Sequence, residues 1–294
     1  MLTGLHFLLT YKCLSECDHC FVYGGPHAEG TFTLAQVRAA LDQAKGLGTI
    51  TRVFFEGGEP FLYYPLLIAA VREARARGFE VGIVSNAYFA TAAEDARLSL
   101  EPLLQAGLTD IMLSEDELHF GQVSETPARL AKEAAAAVGL QADTLATASP
   151  CMQVTPSGPQ VSGDVMFRGR AVEKLTAGLL RRRWESFTEC PHEDLGDPGR
   201  VHLDPFGHVH LCQGLLMGII WETPLKQMVA AYIPQTHPIV GALLRGGPAQ
   251  LIREFDVAHE PGYVDACHAC YAARRALIDR FPAYLAPRQV YGMQ

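Results

Sequence analysis

Residues 5–20 read Leu-His-Phe-Leu-Leu-Thr-Tyr-Lys-Cys-Leu-Ser-Glu-Cys-Asp-His-Cys. Leu5–Thr10 has the apolar character of a buried strand, and it leads at once into Cys13, Cys17 and Cys20, spaced C-x3-C-x2-C. Three thiols on a loop after a strand suit an iron–sulfur cluster held by cysteine sulfur. With three ligands rather than four, one iron of a four-iron cluster stays open to an outside ligand, as in a catalytic metal site. Structural zinc is the bland alternative, but it usually shows paired short knuckles, which this spacing does not reproduce.

Outward from that stretch, short apolar runs alternate with amphipathic ones. Leu34–Leu47 repeats apolar residues at three- and four-residue steps and predicts a helix. Thr51–Phe55 predicts a strand ending at Gly57-Gly58, and Pro65–Arg77 a helix stopped by Gly78. Glu80–Ser85, Glu94–Gln105, Asp110–Ser114 and Pro127–Val138 continue as strand, helix, strand and helix. Further strands are expected around Leu145–Ser149 and Gln160–Phe167. Such alternation calls for a parallel sheet with right-handed crossovers, with the chemistry at the strand ends. The expected fold class is α/β. Periodicity leaves an open sheet, a full barrel and a partial barrel all open. After Arg170 the texture changes. Val201–Pro205 and His208–Cys212 flank Phe206-Gly207 as a β-hairpin, and Leu225–Tyr232 and Val240–Phe255 read as helices. A soft boundary falls near residue 175, giving units 1–175 and 176–294.

Composition narrows the classes of function. Lys+Arg is 24 against Asp+Glu 32, a net charge of −8, which runs against nucleic acid as the main partner. No apolar run reaches the roughly 20 residues of a membrane span. The opening MLTGLHFLLTYKC lacks a basic segment followed by a long apolar one, so a cytoplasmic location is expected. Eight cysteines in such a chain read as metal ligands or catalytic groups rather than disulfides.

With Cys13, Cys17 and Cys20 at the end of its first strand, the chain resembles the radical S-adenosylmethionine (SAM) superfamily. In place of the aromatic residue usual before the third cysteine it has His19. The resemblance continues strand by strand. Gly57-Gly58-Glu59-Pro60 matches the second-strand motif that holds the methionyl amino group. Ser85-Asn86 matches the Ser/Thr-Asn pair after the third strand, with Ala87 where glycine often follows. Ser114 and Asp116 fall where Ser-x-Asp follows the fourth, and His119 is a candidate proton acceptor. The family's Gly-rich fifth-strand motif is not legible. Arg168-Gly169-Arg170-Ala171 is similar to a segment at the barrel exit of related enzymes, where either arginine, Arg168 or Arg170, could clamp a carboxylate.

Four more cysteines, Cys190, Cys212, Cys267 and Cys270, resemble the ligand set of the twitch/SPASM type of auxiliary-cluster domain, with Cys190 and Cys212 as a hairpin pair and a distal C-x2-C. The resemblance therefore implies a partial (β/α)6 barrel followed by a small auxiliary-cluster domain of β-hairpin and helices. It implies a SAM-binding [4Fe-4S] cluster, an auxiliary [4Fe-4S] cluster, SAM, and an external reductant such as flavodoxin or ferredoxin. The implied reaction is hydrogen abstraction by a 5′-deoxyadenosyl radical followed by substrate oxidation. A peptide matured into a natural product is the first expected substrate class, and a small alcohol or amino sugar the second. If the second cysteine set holds structural zinc instead, as C-x2-C with two remote cysteines also permits, redox-neutral radical chemistry follows. Cys151 is left over and reads as a small buried apolar residue, a hydrogen-atom donor or a base.

Overall fold

The computed structural model describes residues 1–122, 125–156 and 158–293. The first half is built from β1 (Gly4–Thr10), α1 (Leu34–Leu47), β2 (Arg52–Gly57), α2 (Tyr64–Ala76), β3 (Glu80–Ser85), α3 (Ala93–Ala106), β4 (Asp110–Ser114), α4 (Glu117–Phe120), α5 (Pro127–Val138) and β5 (Gln141–Leu145). Strands β1 to β5 lie side by side in order, all parallel. Strand β1 is central and packed on both faces, so Leu5, Phe7, Leu8 and Leu9 are all buried. Helix α1 starts where the sequence can satisfy its free amides. Thr33 accepts from the Gln36 N–H and the Gln36 side chain accepts from Thr33 N, a capping box worth about 0.5–2 kcal/mol.

The second half comprises β6 (Cys151–Thr155), β7 (Gly158–Ser162), α6 (Ala171–Lys174), β8 (Arg182–Arg183), β9 (Arg200–Leu203), β10 (His208–Cys212), β11 (Leu215–Ile219), α7 (Leu225–Ala231), α8 (Pro238–Phe255), β12 (Gly262–Tyr263) and α9 (Ala266–Leu277). The hairpin expected around Phe206-Gly207 is present as β9 and β10. Strand β9 pairs in parallel with β1, His6 opposite His202, and extends the main sheet to eight strands in the order β11-β10-β9-β1-β2-β3-β4-β5. The sheet is open, and its main hydrophobic core runs across residue 175 without a break.

Two expected strands fall elsewhere. The fifth parallel strand is Gln141–Leu145, ahead of the expected Leu145–Ser149, because it is an exposed edge strand with almost no apolar signal. The strand expected over Gln160–Phe167 does not join the sheet. Gly158–Ser162 instead folds back on Cys151–Thr155 as an antiparallel hairpin. The segment after it crosses to the cysteine loop, where the Arg170 N–H donates to the Cys20 carbonyl at 2.9 Å.

Candidate active site

The C-terminal ends of β1 to β5 converge on one cavity of about 250 Å³. Cys13, Cys17 and Cys20 form one wall, Gly57 and Gly58 the next, and Ser85, Asn86, Ser114, Asp116 and His119 follow around it. Residues drawn from four separate stretches of sequence are thus brought to one place, as strand ends are in parallel sheets.

The cysteine loop is held from outside. Arg170 is buried, and its Nη1 and Nη2 donate to the Cys17 and Gly24 carbonyls, each at 2.8 Å. Its guanidinium also lies 5.2 Å from the Tyr23 ring centroid. This corrects the expectation that Arg170 clamps a substrate carboxylate: both terminal nitrogens are engaged by the cysteine loop itself. The thiols gain local donors, since Gly24 N–H points to Cys20 Sγ at 3.2 Å and Asn86 Nδ2 to Cys13 Sγ at 3.7 Å. Burial pushes the Cys17 thiol up to about 12, helped by neighbouring Cys20, and burial also raises Cys13. A metal that takes these sulfurs as thiolates displaces protons from them.

The two glycines are required by backbone contact. A Cβ on Gly58 would lie 2.1 Å from the Lys12 carbonyl oxygen, and one on Gly57 2.4 Å from that of Thr10. Gly58 N–H donates to Thr10 O at 2.7 Å and Glu59 N–H to Lys12 O at 2.8 Å, which fastens the end of β2 to the start of the cysteine loop. The Glu59 side chain stands behind this wall rather than in the cavity. It is fully buried and accepts from Phe61 N–H, Ser85 Oγ and Asn86 N–H at 3.0, 2.9 and 2.8 Å. Burial lifts its carboxyl to about 7 in spite of these donors. Pro60 is likewise buried, at the start of a short 3-10 turn. Ala87 sits at φ +59°, in the left-handed region that favours the glycine the family often carries there.

Asp116 and His119 form a dyad. Asp116 Oδ1 meets His119 Nδ1 at 2.9 Å and also accepts the His119 N–H, while Oδ2 accepts from Thr147 N–H at 3.1 Å. Burial works against the Asp116 charge, but these bonds and the imidazole hold its pKa below the ordinary carboxylate value. His19 meets His119 edge-on, ring centroids 4.6 Å apart, and its buried Nδ1 has no partner among the described residues. Burial, with His119 beside it, lowers His19 to about 4, so it is neutral near pH 7.

The sequence reading passed over Glu56, which also lines the cavity. His202 Nε2 and His6 Nδ1 meet its Oε1 at 2.9 and 3.3 Å. Burial alone would raise Glu56, yet the two imidazoles outweigh it and keep the carboxylate ionised. The signal was a lone acid inside an apolar strand just before the glycine pair.

Cys190, Cys212, Cys267 and Cys270 also come together, around a second, small cavity of about 20 Å³. Cys212 ends β10 and Cys267 and Cys270 lie on the first turns of α9, whereas Cys190 is on the loop before β9 rather than on the hairpin. Arg168 and Arg274 line the same cavity, both buried. Arg168 Nη1 reaches Cys212 Sγ at 3.2 Å, and Nε of each arginine is buried with no acceptor among the described residues. Unpartnered donors beside four thiols fit a group that brings its own acceptors, as the sulfides of an iron–sulfur cluster do. Arg274 was legible in principle: Cys267, Cys270 and Arg274 share one helical face at i, i+3 and i+7. Cys151 is exposed at the start of β6 and lines neither cavity.

Comparison with known proteins places this geometry. Residues 7–119 match the radical SAM superfamily. Over 119 residues the chain is 29% identical to the tungsten-containing aldehyde ferredoxin oxidoreductase cofactor-modifying protein of Pyrococcus furiosus. That match covers 40% of this chain and 32% of the relative, so the chain spans about a third of the curated relative's length. Among solved structures, BtrN in complex with AdoMet and 2-DOIA superposes with a TM-score of 0.50 at 14% identity, over 78% of this chain and 82% of that one. Native anSMEcpe with bound AdoMet gives a TM-score of 0.43 at 11% identity, over 96% and 98%. Members of that superfamily use a [4Fe-4S] cluster and SAM, and residues 7–119 of this chain, which carry Cys13, Cys17 and Cys20, match its domain.

Proposed function

We propose that the chain is a SAM-dependent radical oxidase with two cluster sites, a radical SAM core over residues 1–175 and an auxiliary unit over 176–294. The carrying observation is that two separate cysteine sets converge on two cavities that share one wall residue, Arg168. Cys13, Cys17 and Cys20 would hold the SAM-binding cluster, and Cys190, Cys212, Cys267 and Cys270 the auxiliary one. When bound, the first cluster supplies the electron that splits SAM into methionine and a 5′-deoxyadenosyl radical, and the second supplies an acceptor for the electron a substrate radical gives up.

The remaining work falls to the chain's own groups. Gly57 and Gly58, with Ser85, Asn86 and Ser114, shape the wall against which SAM lies, while Glu59 and Pro60 brace it from behind. Asp116 holds a proton on His119 Nδ1, which leaves the Nε2 lone pair free to take a proton from substrate. Arg170 keeps the cysteine loop closed. Glu56, Asp116 and Asp164 line the cavity against one cation, Arg168, which is engaged by Cys212 and Glu193. A neutral or cationic substrate group fits that wall better than a carboxylate. A side chain of a peptide under maturation and a small alcohol or amino sugar both meet the requirement. An external one-electron donor, such as flavodoxin or ferredoxin, would complete the cycle.

One observation favours a second reading. Cys267 and Cys270 as C-x2-C, with Cys190 and Cys212 around the same cavity, are a four-sulfur set of the kind that also holds zinc, which would go with redox-neutral radical chemistry.

The test is SAM cleavage by the anaerobically reconstituted full chain with dithionite, followed as 5′-deoxyadenosine by chromatography. Wild type should form it and Cys17→Ala should not. Equal amounts from both, or none from an iron-loaded wild type, would overturn the proposal.

A further inference from the structure

Two arginines are buried against the second cysteine set, where a protein rarely places cations without a partner of opposite charge. Arg168 is 7% exposed and Arg274 1%. Arg168 Nη1 is 3.2 Å from Cys212 Sγ and 3.3 Å from Glu193 Oε1. Arg274 Nη2 is 3.9 Å from the same sulfur, while its Nη1 donates to the Gln213 carbonyl at 2.8 Å. A guanidinium stays charged at any ordinary pH. Two carboxylates line this cavity, the exposed Glu189 and Glu193, which is shared with the more exposed Arg200 at 3.6 Å. The site therefore has two fixed positive charges, two carboxylates of which one is exposed, and four sulfurs that a metal would take as thiolates.

Arg168 also belongs to the first cavity. Its guanidinium lies 5.3 Å from the ring centroid of Phe21, the residue after Cys20. Cys20, Phe21, Arg168 and Cys212 thus form a continuous packed line between the two cysteine sets.

We infer that Arg168, backed by Arg274, poises the second cysteine site to accept an electron. This rests on the reading that the site holds an iron–sulfur cluster. A cluster on four thiolates gains one negative charge when reduced, and fixed cations in contact with its ligands favour the more negative state. Net charge and hydrogen bonds to sulfur are among the factors that set cluster potentials. A zinc ion, which has no redox step, would make no use of them. Glu193 acts in the opposite sense, as the charge that moderates Arg168. Both are positioning residues here, since they act on the electron through the cysteine sulfurs.

The experiment is an EPR-monitored redox titration of the full-length Cys13/Cys17/Cys20→Ala variant loaded with iron and sulfide, so that the second site alone gives a signal. Arg168→Met should shift its reduction equilibrium about ten- to a hundredfold toward the oxidised form, a drop of about 59–118 mV for a one-electron couple. Arg168→Lys, which keeps the charge, should stay within about threefold of the parent, and Glu193→Gln should shift it the other way. If Arg168→Met fails to load iron, Arg168→Lys and Glu193→Gln decide alone. Iron present in the parent with no shift in either neutralising variant would overturn the inference and leave the cluster reading standing. Zinc and no iron in the parent would overturn both.

Discussion

Arg170→Met removes the strap across the first cysteine loop while keeping most of the apolar stem. Two charge-assisted hydrogen bonds are lost, to the Cys17 and Gly24 carbonyls, each worth about 1.5–3 kcal/mol, and both carbonyls lose a buried donor. The contact with the Tyr23 ring adds about 0.5–2 kcal/mol. Allowing for water reaching the freed carbonyls, the closed loop should weaken by about 3–5 kcal/mol. A binding-competent loop populated some hundreds to a few thousandfold less often weakens apparent metal affinity in proportion, by about two to four powers of ten. The assay is iron and acid-labile sulfide bound at limiting iron, with amide hydrogen exchange over residues 13–25 of the iron-free chain. Iron should fall at the first site only, and those amides should exchange faster. Arg170→Lys, able to keep one of the two bonds, should fall between. Wild-type iron loading and unchanged exchange in Arg170→Met would refute the reasoning and return Arg170 to the substrate cavity.

Other expectations follow from the same contacts. Glu59 titrates near 7 in the folded chain against about 4.5 unfolded, so between those values the folded state holds a proton the unfolded state has lost, and stability falls as pH rises. From pH 5 to pH 8 this amounts to about 2–3 kcal/mol. Urea unfolding of wild type and Glu59→Gln at both pH values should show that difference narrowing by a similar amount, and a pH-independent gap would contradict it. Gly58→Ala drives a Cβ into the Lys12 and Tyr11 carbonyls and should cost more than about 2 kcal/mol. Gly46→Ala, on α1 with nothing within 4 Å, should gain about 0.5–1 kcal/mol. Nitrogen NMR of the iron-free chain should find His119 protonated on Nδ1 in wild type and redistributed in Asp116→Asn. A wild-type His119 protonated on Nε2 would remove it as the proton acceptor.

The fold was legible where burial is one-sided or complete. Helix α1 announces itself through Val37, Leu41 and Ala44 on one face, and β1 through four adjacent buried positions. It was illegible at β5, a polar edge strand whose identity rests on backbone pairing with β4, and at β9, whose parallel docking on β1 depends on a partner nearly 200 residues away. The site shows the same division. Spacing grouped Cys13, Cys17 and Cys20, the family resemblance grouped the other four, and each group lines one cavity. Spacing is silent on which way a polar side chain turns. Arg170 and Glu59 sit beside the chemistry in sequence yet face the scaffold, while Arg168, two residues from Arg170, and Glu56, unremarkable in sequence, face the cavity.

The most direct measurement is iron, acid-labile sulfide and zinc in the anaerobically reconstituted chain, beside its Cys13/Cys17/Cys20→Ala variant. The account predicts about eight iron per chain in wild type and about four in the variant, from two four-iron clusters, with no zinc in either. About four iron falling to none, with one zinc retained in both, would contradict it.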